Sequence, residues 1–392
     1  MGSFSLRISS EGDDRLKLIW TLPDEGDTWE PPSYSIDAGL LLQAANAVRK
    51  QLKVIAHATG PFGAAEFAPL LQNLAQRGEE LFLQLMPDMG NGGASDLQQR
   101  LEQVAQSAKP DRHDFKIILE TEKLFVPWGF VFSGRRNDLP RTPTLSLADM
   151  KGFWLFHFNI SIAHSSTSRL PLKRKSVACK LFALHADMFN GARELLKIDD
   201  EKCWDRLEKL LAGKMAPTMD WESFEAAWKE VRDDYDSVLY LFGHSDGQRI
   251  QLRDKDGGDE EDDPKFDLLA ASLKRFRKRP SDSVSIFLLN GCCTAAPHPD
   301  SEEVPISANF LKETRQPGYF GFVGTEAQVS NVFACRYGTE FLWRLCREGR
   351  SVGETFDELL QDGKLFPQNL LYSCYADRKF RFASTMRDDN QP

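Results

Sequence analysis

The hydrophobic pattern divides the chain into two parts of different rhythm. In the second part, Val284, Ile286, Phe287, Leu288 and Leu289 form a nearly unbroken apolar run of β-formers, as do Val238, Leu239, Tyr240, Leu241 and Phe242. Runs of that length, without polar alternation, predict strands buried on both faces of a parallel sheet. Strand and helix patterns alternate around them. Strands are predicted over 177–184, 238–242, 250–252, 284–289, 319–323 and 370–375, and helices over 203–211, 221–232, 268–276 and 331–348. Such alternation favours a mostly parallel sheet flanked by helices, so the expected fold class is α/β.

The first part reads differently. Residues 5–20 alternate loosely, with 17–20 as a strand, before a Pro/Asp/Gly-rich stretch at 23–33. Apolar residues at three- and four-residue spacing (Leu40, Leu41, Ala44, Ala45, Val48; Phe67, Leu70, Leu71, Leu74) predict amphipathic helices over 38–54 and 64–83, with a third over 97–108. Residues 115–119 and 124–126 flank Thr121, Glu122 and Lys123 as a hairpin or two nearby strands, ended by Pro127-Trp128, and 154–162 reads as a further strand. Pro-, Arg- and Lys-rich residues 169–175 form the expected boundary, giving halves 1–170 and 171–392.

Composition narrows the classes. At 392 residues, with 41% hydrophobic and 27% charged positions, the chain suits two globular domains. A formal charge of -9 argues against direct nucleic-acid binding. The first twenty residues hold no apolar core of signal-peptide length, and no segment approaches the roughly 18 to 20 apolar residues of a membrane span. Seven irregularly spaced cysteines argue for reduced thiols. A cytoplasmic protein without membrane attachment is the expectation. Neither zinc-type His/Cys spacing nor a phosphate-binding glycine motif is present, and the acidic run 254–263 lacks the EF-hand pattern, so no metal or cofactor is expected.

Candidate chemistry lies where the two apolar runs stop. Asn290-Gly291 breaks one strand and Cys292-Cys293 follow; Gly243-His244-Ser245-Asp246-Gly247 breaks the other. Carboxyl ends of strands are where open α/β sheets place their reacting groups. Cys292 can serve as nucleophile, His244 as general acid/base, and backbone N–H groups of Cys292 and Ser245 as oxyanion donors. Cys293 is the rival nucleophile, since side chains alternate as a strand ends and one of the two cysteines can face His244. Either residue taken singly is a packing thiol or an ordinary loop histidine. His57, His113, His157, His164, His185 and His298 read as surface or packing residues.

YLFGHSDG and FLLNGCCTA resemble the His and Cys motifs of CHAT-domain peptidases, cysteine peptidases related to caspases and separases. The likeness continues in Gly321–Glu326, in 334–345, in 348–356, in 370–375 and, upstream, in Leu124-Phe-Val-Pro-Trp128. It implies a caspase-like fold, with residues 1 to about 170 as a degenerate caspase-like or regulatory half, and cleavage of a protein substrate after release by a separate activator or a processing cut, in a bacterial defence or cell-death circuit. It also places Asn290 at a pocket position for the residue before the scissile bond. Glu326 and Asp246, at neighbouring strand ends, would then favour a basic side chain there. The family usually has glycine where this chain has Ser245, a strained choice if φ is positive. That departure keeps a second reading open, an inactive scaffold that binds partner proteins, and a thiol acyltransferase is a third.

Overall fold

The computed structural model describes residues 4–21, 33–57, 64–86, 92–106, 113–121, 126–164, 178–212, 217–246, 249–253, 265–269, 283–295 and 319–382. The chain divides into two compact units, Met1–Ser165 with Gln361–Leu370, and Ser166–Leu360 with Leu371–Pro392. Segment 361–370 therefore packs with the first unit, although it lies deep in the half that the sequence pattern assigned to the second. The 169–175 boundary falls outside the described residues.

The first unit is built on a five-stranded sheet of β1 (Phe4–Ser10), β2 (Arg15–Thr21), β3 (Ser33–Asp37), β4 (His113–Leu119) and β5 (Phe158–His164), in the order β3-β2-β1-β4-β5. Burial alternates along β1 and β2, the mark of strands whose two faces meet different surroundings. Helices α1 (Ala38–His57), α2 (Ala64–Leu85) and α3 (Gly92–Gln106) stand where 3.6-residue periodicity put them. Two expectations are corrected. Strand β4 is flanked in parallel by β1 and β5, so both its edges are taken and it forms no hairpin, while residues 122–125 lie outside the described residues. Residues 154–157 form a helical turn, α4 (Trp154–His157), not the start of a strand. The Trp154 indole donates to Ser133 Oγ at 3.1 Å and packs edge-on to Phe115 at 5.1 Å, a burial that outweighs the local β-preference.

The second unit contains a five-stranded sheet in the order β13-β12-β11-β7-β6: β6 (Ala178–Leu184), β7 (Asp236–Phe242), β11 (Ser285–Asn290), β12 (Tyr319–Thr325) and β13 (Tyr372–Ala376). Strands β6, β7, β11 and β12 run parallel, and β13 is antiparallel at the edge. Every residue of β7 and β11 is buried, as their unbroken apolar runs require. Helices α5 (Ala186–Asp199), α6 (Glu201–Leu211), α7 (Trp221–Val231), α8 (Asn331–Cys346) and α9 (Val352–Gln361) complete the unit among the described residues. Helix α5 was not foreseen. The ion pairs Arg193–Glu208 and Arg206–Glu340, both at 2.6 Å, tie α5 to α6 and α6 to α8.

Between β7 and β11 the chain makes a small antiparallel sheet, β8 (His244–Ser245), β9 (Arg249–Gln251) and β10 (Asp267–Leu269). The helix expected over 268–276 is thus a strand where it begins, because Leu268 pairs with Ile250 and both side chains are buried. The rest of that helix, and the acidic run 254–263, lie outside the described residues. The architecture is α/β with mixed sheets that include parallel strands. Among the described residues no helix is long and apolar enough to cross a membrane.

Candidate active site

Register brings the two candidate residues to one place. Asn290 pairs with Phe242 at the carboxyl ends of β11 and β7. Cys292 and His244 each come two residues later, so the strand pairing delivers both to the same sheet edge. The loops meet closely: a Cβ on Gly291 would stand 2.5 Å from the Gly243 carbonyl and 3.3 Å from Ser245 Cβ. Glycine at 291 is what lets the His and Cys loops touch. Gly243 is pressed likewise, its missing Cβ pointing at the Gln251 carbonyl.

His244 is exposed, and Cys292 and Cys293 are each half-buried. The Cys292 thiol donates to the Val329 carbonyl at 3.7 Å, and burial raises its pKa. The resting group is therefore a neutral thiol. Cys293 has a left-handed backbone, φ 54°, and its N–H donates to the Ala327 carbonyl at 3.3 Å. Ser245, by contrast, is an extended residue of β8. The strain anticipated at Ser245 is thus carried by Cys293 instead.

A lattice of buried hydroxyls fixes the turn that bears the cysteines. Thr294 Oγ1 donates to the Leu289 carbonyl at 3.0 Å, and the Thr325 N–H donates to Thr294 Oγ1 at 2.9 Å. The Thr325 hydroxyl in turn bonds the Gly291 carbonyl. Below the turn, Asn290 Nδ2 donates to Tyr240 Oη at 2.7 Å and to the Ala334 carbonyl, while the Tyr372 hydroxyl donates to Asn290 Oδ1. These threonines and tyrosines were not singled out from the sequence.

The structure places the three pocket candidates in different surroundings. Asn290 is 1% exposed, with its amide engaged by β7, α8 and β13; it is a framework group that joins strands, because both its donors and its acceptor point into the core. Glu326 is also 1% exposed and accepts from the Tyr375 hydroxyl at 2.7 Å. The Asp246 carboxylate turns back on the Arg249 N–H at 3.0 Å and Nε at 3.2 Å, closing the turn from β8 to β9 and meeting a cation already present.

A residue read as surface or packing, His185, lies beside His244. His185 is wholly buried, and its ring lies 5.3 Å from that of His244. It follows Leu184, the last residue of β6, and the same strand-end rule that pointed to His244 and Cys292 points to it. Among the described residues no group of three His, Cys, Asp or Glu side chains could hold a metal ion. Chemically, the arrangement offers a thiol and an imidazole just past the ends of adjacent strands, on loops that meet at Gly291 and Gly243. No family model matches the chain, and no curated protein matches it.

Proposed function

We propose that the chain is a caspase-like cysteine endopeptidase acting on a protein substrate through Cys292 as nucleophile and His244 as general acid/base. The observation that carries this reading is the register of β7 on β11, which sets Cys292 and His244 at equal distances past paired residues while Gly291 lets their loops touch. Strand ends of an α/β sheet are the usual location of such groups.

The chemistry runs from a neutral thiol. As Cys292 Sγ attacks the substrate carbonyl carbon, its proton passes to His244, and the carbonyl oxygen becomes an oxyanion facing backbone N–H groups of Cys292 and Ser245. Collapse of that intermediate breaks the peptide C–N bond, with His244 returning the proton to the departing amine. Water then attacks the thioester, loses a proton to His244, and releases the acid and the thiol. Release by a separate activator or a processing cut goes with the reading through the resemblance. A cytoplasmic setting goes with the reading through the cysteine usage, and a role in bacterial defence or cell death through the resemblance alone. A pocket preference for basic side chains stays a separate expectation, with the Asp246 carboxylate paired to Arg249 and that of Glu326 to the Tyr375 hydroxyl.

The test is labelling with a pool of peptidyl acyloxymethyl ketones followed by peptide mass spectrometry, on wild type and on Cys292→Ala, Cys293→Ala and His244→Ala. The reading requires labelling confined to Cys292 and dependent on His244. Labelling spread over several thiols, or equal labelling in His244→Ala, would favour the inactive scaffold.

A further inference from the structure

His185 is the third residue to emerge at this sheet edge, and its environment is unusually specific. Its backbone N–H donates to the Phe242 carbonyl at 2.8 Å, two residues before His244. Its side chain caps α5, with Nδ1 accepting the Met188 N–H at 3.5 Å. With Nδ1 accepting, the neutral ring carries its proton on Nε2. The ring meets that of His244 edge to face, at 5.3 Å between centroids and 88° between planes. Aromatic pairs favour this arrangement. The His244 side chain is exposed, and the His185 ring is a buried surface against which its staggered χ1 choice is made.

We propose that His185 is a positioning residue: the buried ring at the end of β6 forms the wall that fixes the orientation of the His244 imidazole. The inference deepens the peptidase reading and takes its catalytic meaning from it. The two jobs of His185 come from different parts of the side chain. The Nδ1 acceptor caps a helix, whereas the ring face and edge hold His244.

Two substitutions in the full chain separate them. Asparagine is a good helix cap without a ring; phenylalanine keeps a ring without the acceptor. Histidine imidazole signals, from uniformly labelled protein with His244→Gln used for assignment, report the orientation of His244 whether or not the protein cleaves anything. In His185→Asn the His244 signals are expected to move, and ketone labelling at Cys292 to slow about tenfold. In His185→Phe the His244 signals stay, labelling holds within about twofold, and the melting temperature falls by about 2–4 °C through loss of the cap. Unchanged His244 signals in His185→Asn would overturn the proposal, as would a labelling rate that follows the melting temperature and not the ring. Failure of wild type to label at Cys292 would instead count against the peptidase reading, since the imidazole signals need no catalysis.

Discussion

The Asn290 side chain donates to the Tyr240 hydroxyl at 2.7 Å, and through this bond the strand that presents Cys292 is locked to the strand that presents His244. The same amide reaches the Ala334 carbonyl of α8 and accepts from Tyr372 on β13. A Cβ on Gly338 would stand 2.8 Å from Asn290 Nδ2 and 2.6 Å from the Tyr240 hydroxyl, so α8 sits directly over the network. The cysteine turn thus rests on a base tied to three elements.

Replacing Asn290 by alanine removes these bonds and strands buried groups on Tyr240, Tyr372 and α8. Each such orphan costs on the order of 1–3 kcal/mol, so Asn290→Ala is expected to lose about 3 kcal/mol or more of stability. Urea unfolding checks this; a change below about 0.5 kcal/mol, the usual size for a surface substitution, would show that the network contributes nothing.

Gly291→Ala puts a methyl group 2.5 Å from the Gly243 carbonyl, so the His loop must retreat from the Cys loop. The expected cost is about 1–3 kcal/mol of stability, together with loss of His244-dependent labelling at Cys292. A variant that melts normally and labels normally would mean that the two loops need not touch.

Cys293 bears a left-handed backbone with a side chain attached. Relief of strain and loss of unfolded-state restriction nearly offset in Cys293→Gly, which should stay within about 1 kcal/mol of wild type and still label at Cys292. Cys293→Val, β-branched and unable to take that conformation cheaply, should lose about 2 kcal/mol or more. Equal stability of the two variants would deny the turn geometry.

Alkali should unfold the protein early. Burial raises Cys179 to about 11 and Cys203 and Cys346 to about 12, and raises Cys335, Cys374 and the tyrosines Tyr240, Tyr337 and Tyr372 as well. A raised folded pKa means that the unfolded chain gives up its proton first. The stabilisation is complete below the ordinary thiol value and is lost as pH climbs through the folded values, at about 1.4 kcal/mol per pH unit for each group that ionises only on unfolding. Melting curves between pH 7.5 and 10.5, about one to two units across the ordinary thiol range, should shift steadily downward above pH 9. A flat profile would contradict the burial of these thiols.

How far the sequence carried differs by element. The runs that became β7 and β11 were legible because a strand covered on both faces has no polar positions to confuse its period. Helices α1 and α2 were legible because the apolar stripe recurs over several turns. Trp154–His157 misled because aromatic residues score as β-formers whether they lie on a strand or on a turn that drives a ring into the core. Leu268 misled because four apolar residues ahead of a basic run fit a helix as well as an edge strand, and its pairing with Ile250 is invisible locally.

By itself the sequence determined that two apolar strands end in a histidine loop and a cysteine loop, because strand termination is written in Gly243 and in Asn290-Gly291. It also determined the glycines that permit close approach. Tertiary structure alone decided which polar side chains face solvent. Asn290, Glu326 and Asp246 read identically as strand-end polar groups, yet the first two are enclosed by β13 and the third is turned onto Arg249. It decided too that His185, 59 positions before His244, lies against it. The reason is physical: burial and partnership depend on which strands become neighbours, and neighbours in a parallel sheet are set by crossovers that no local window contains.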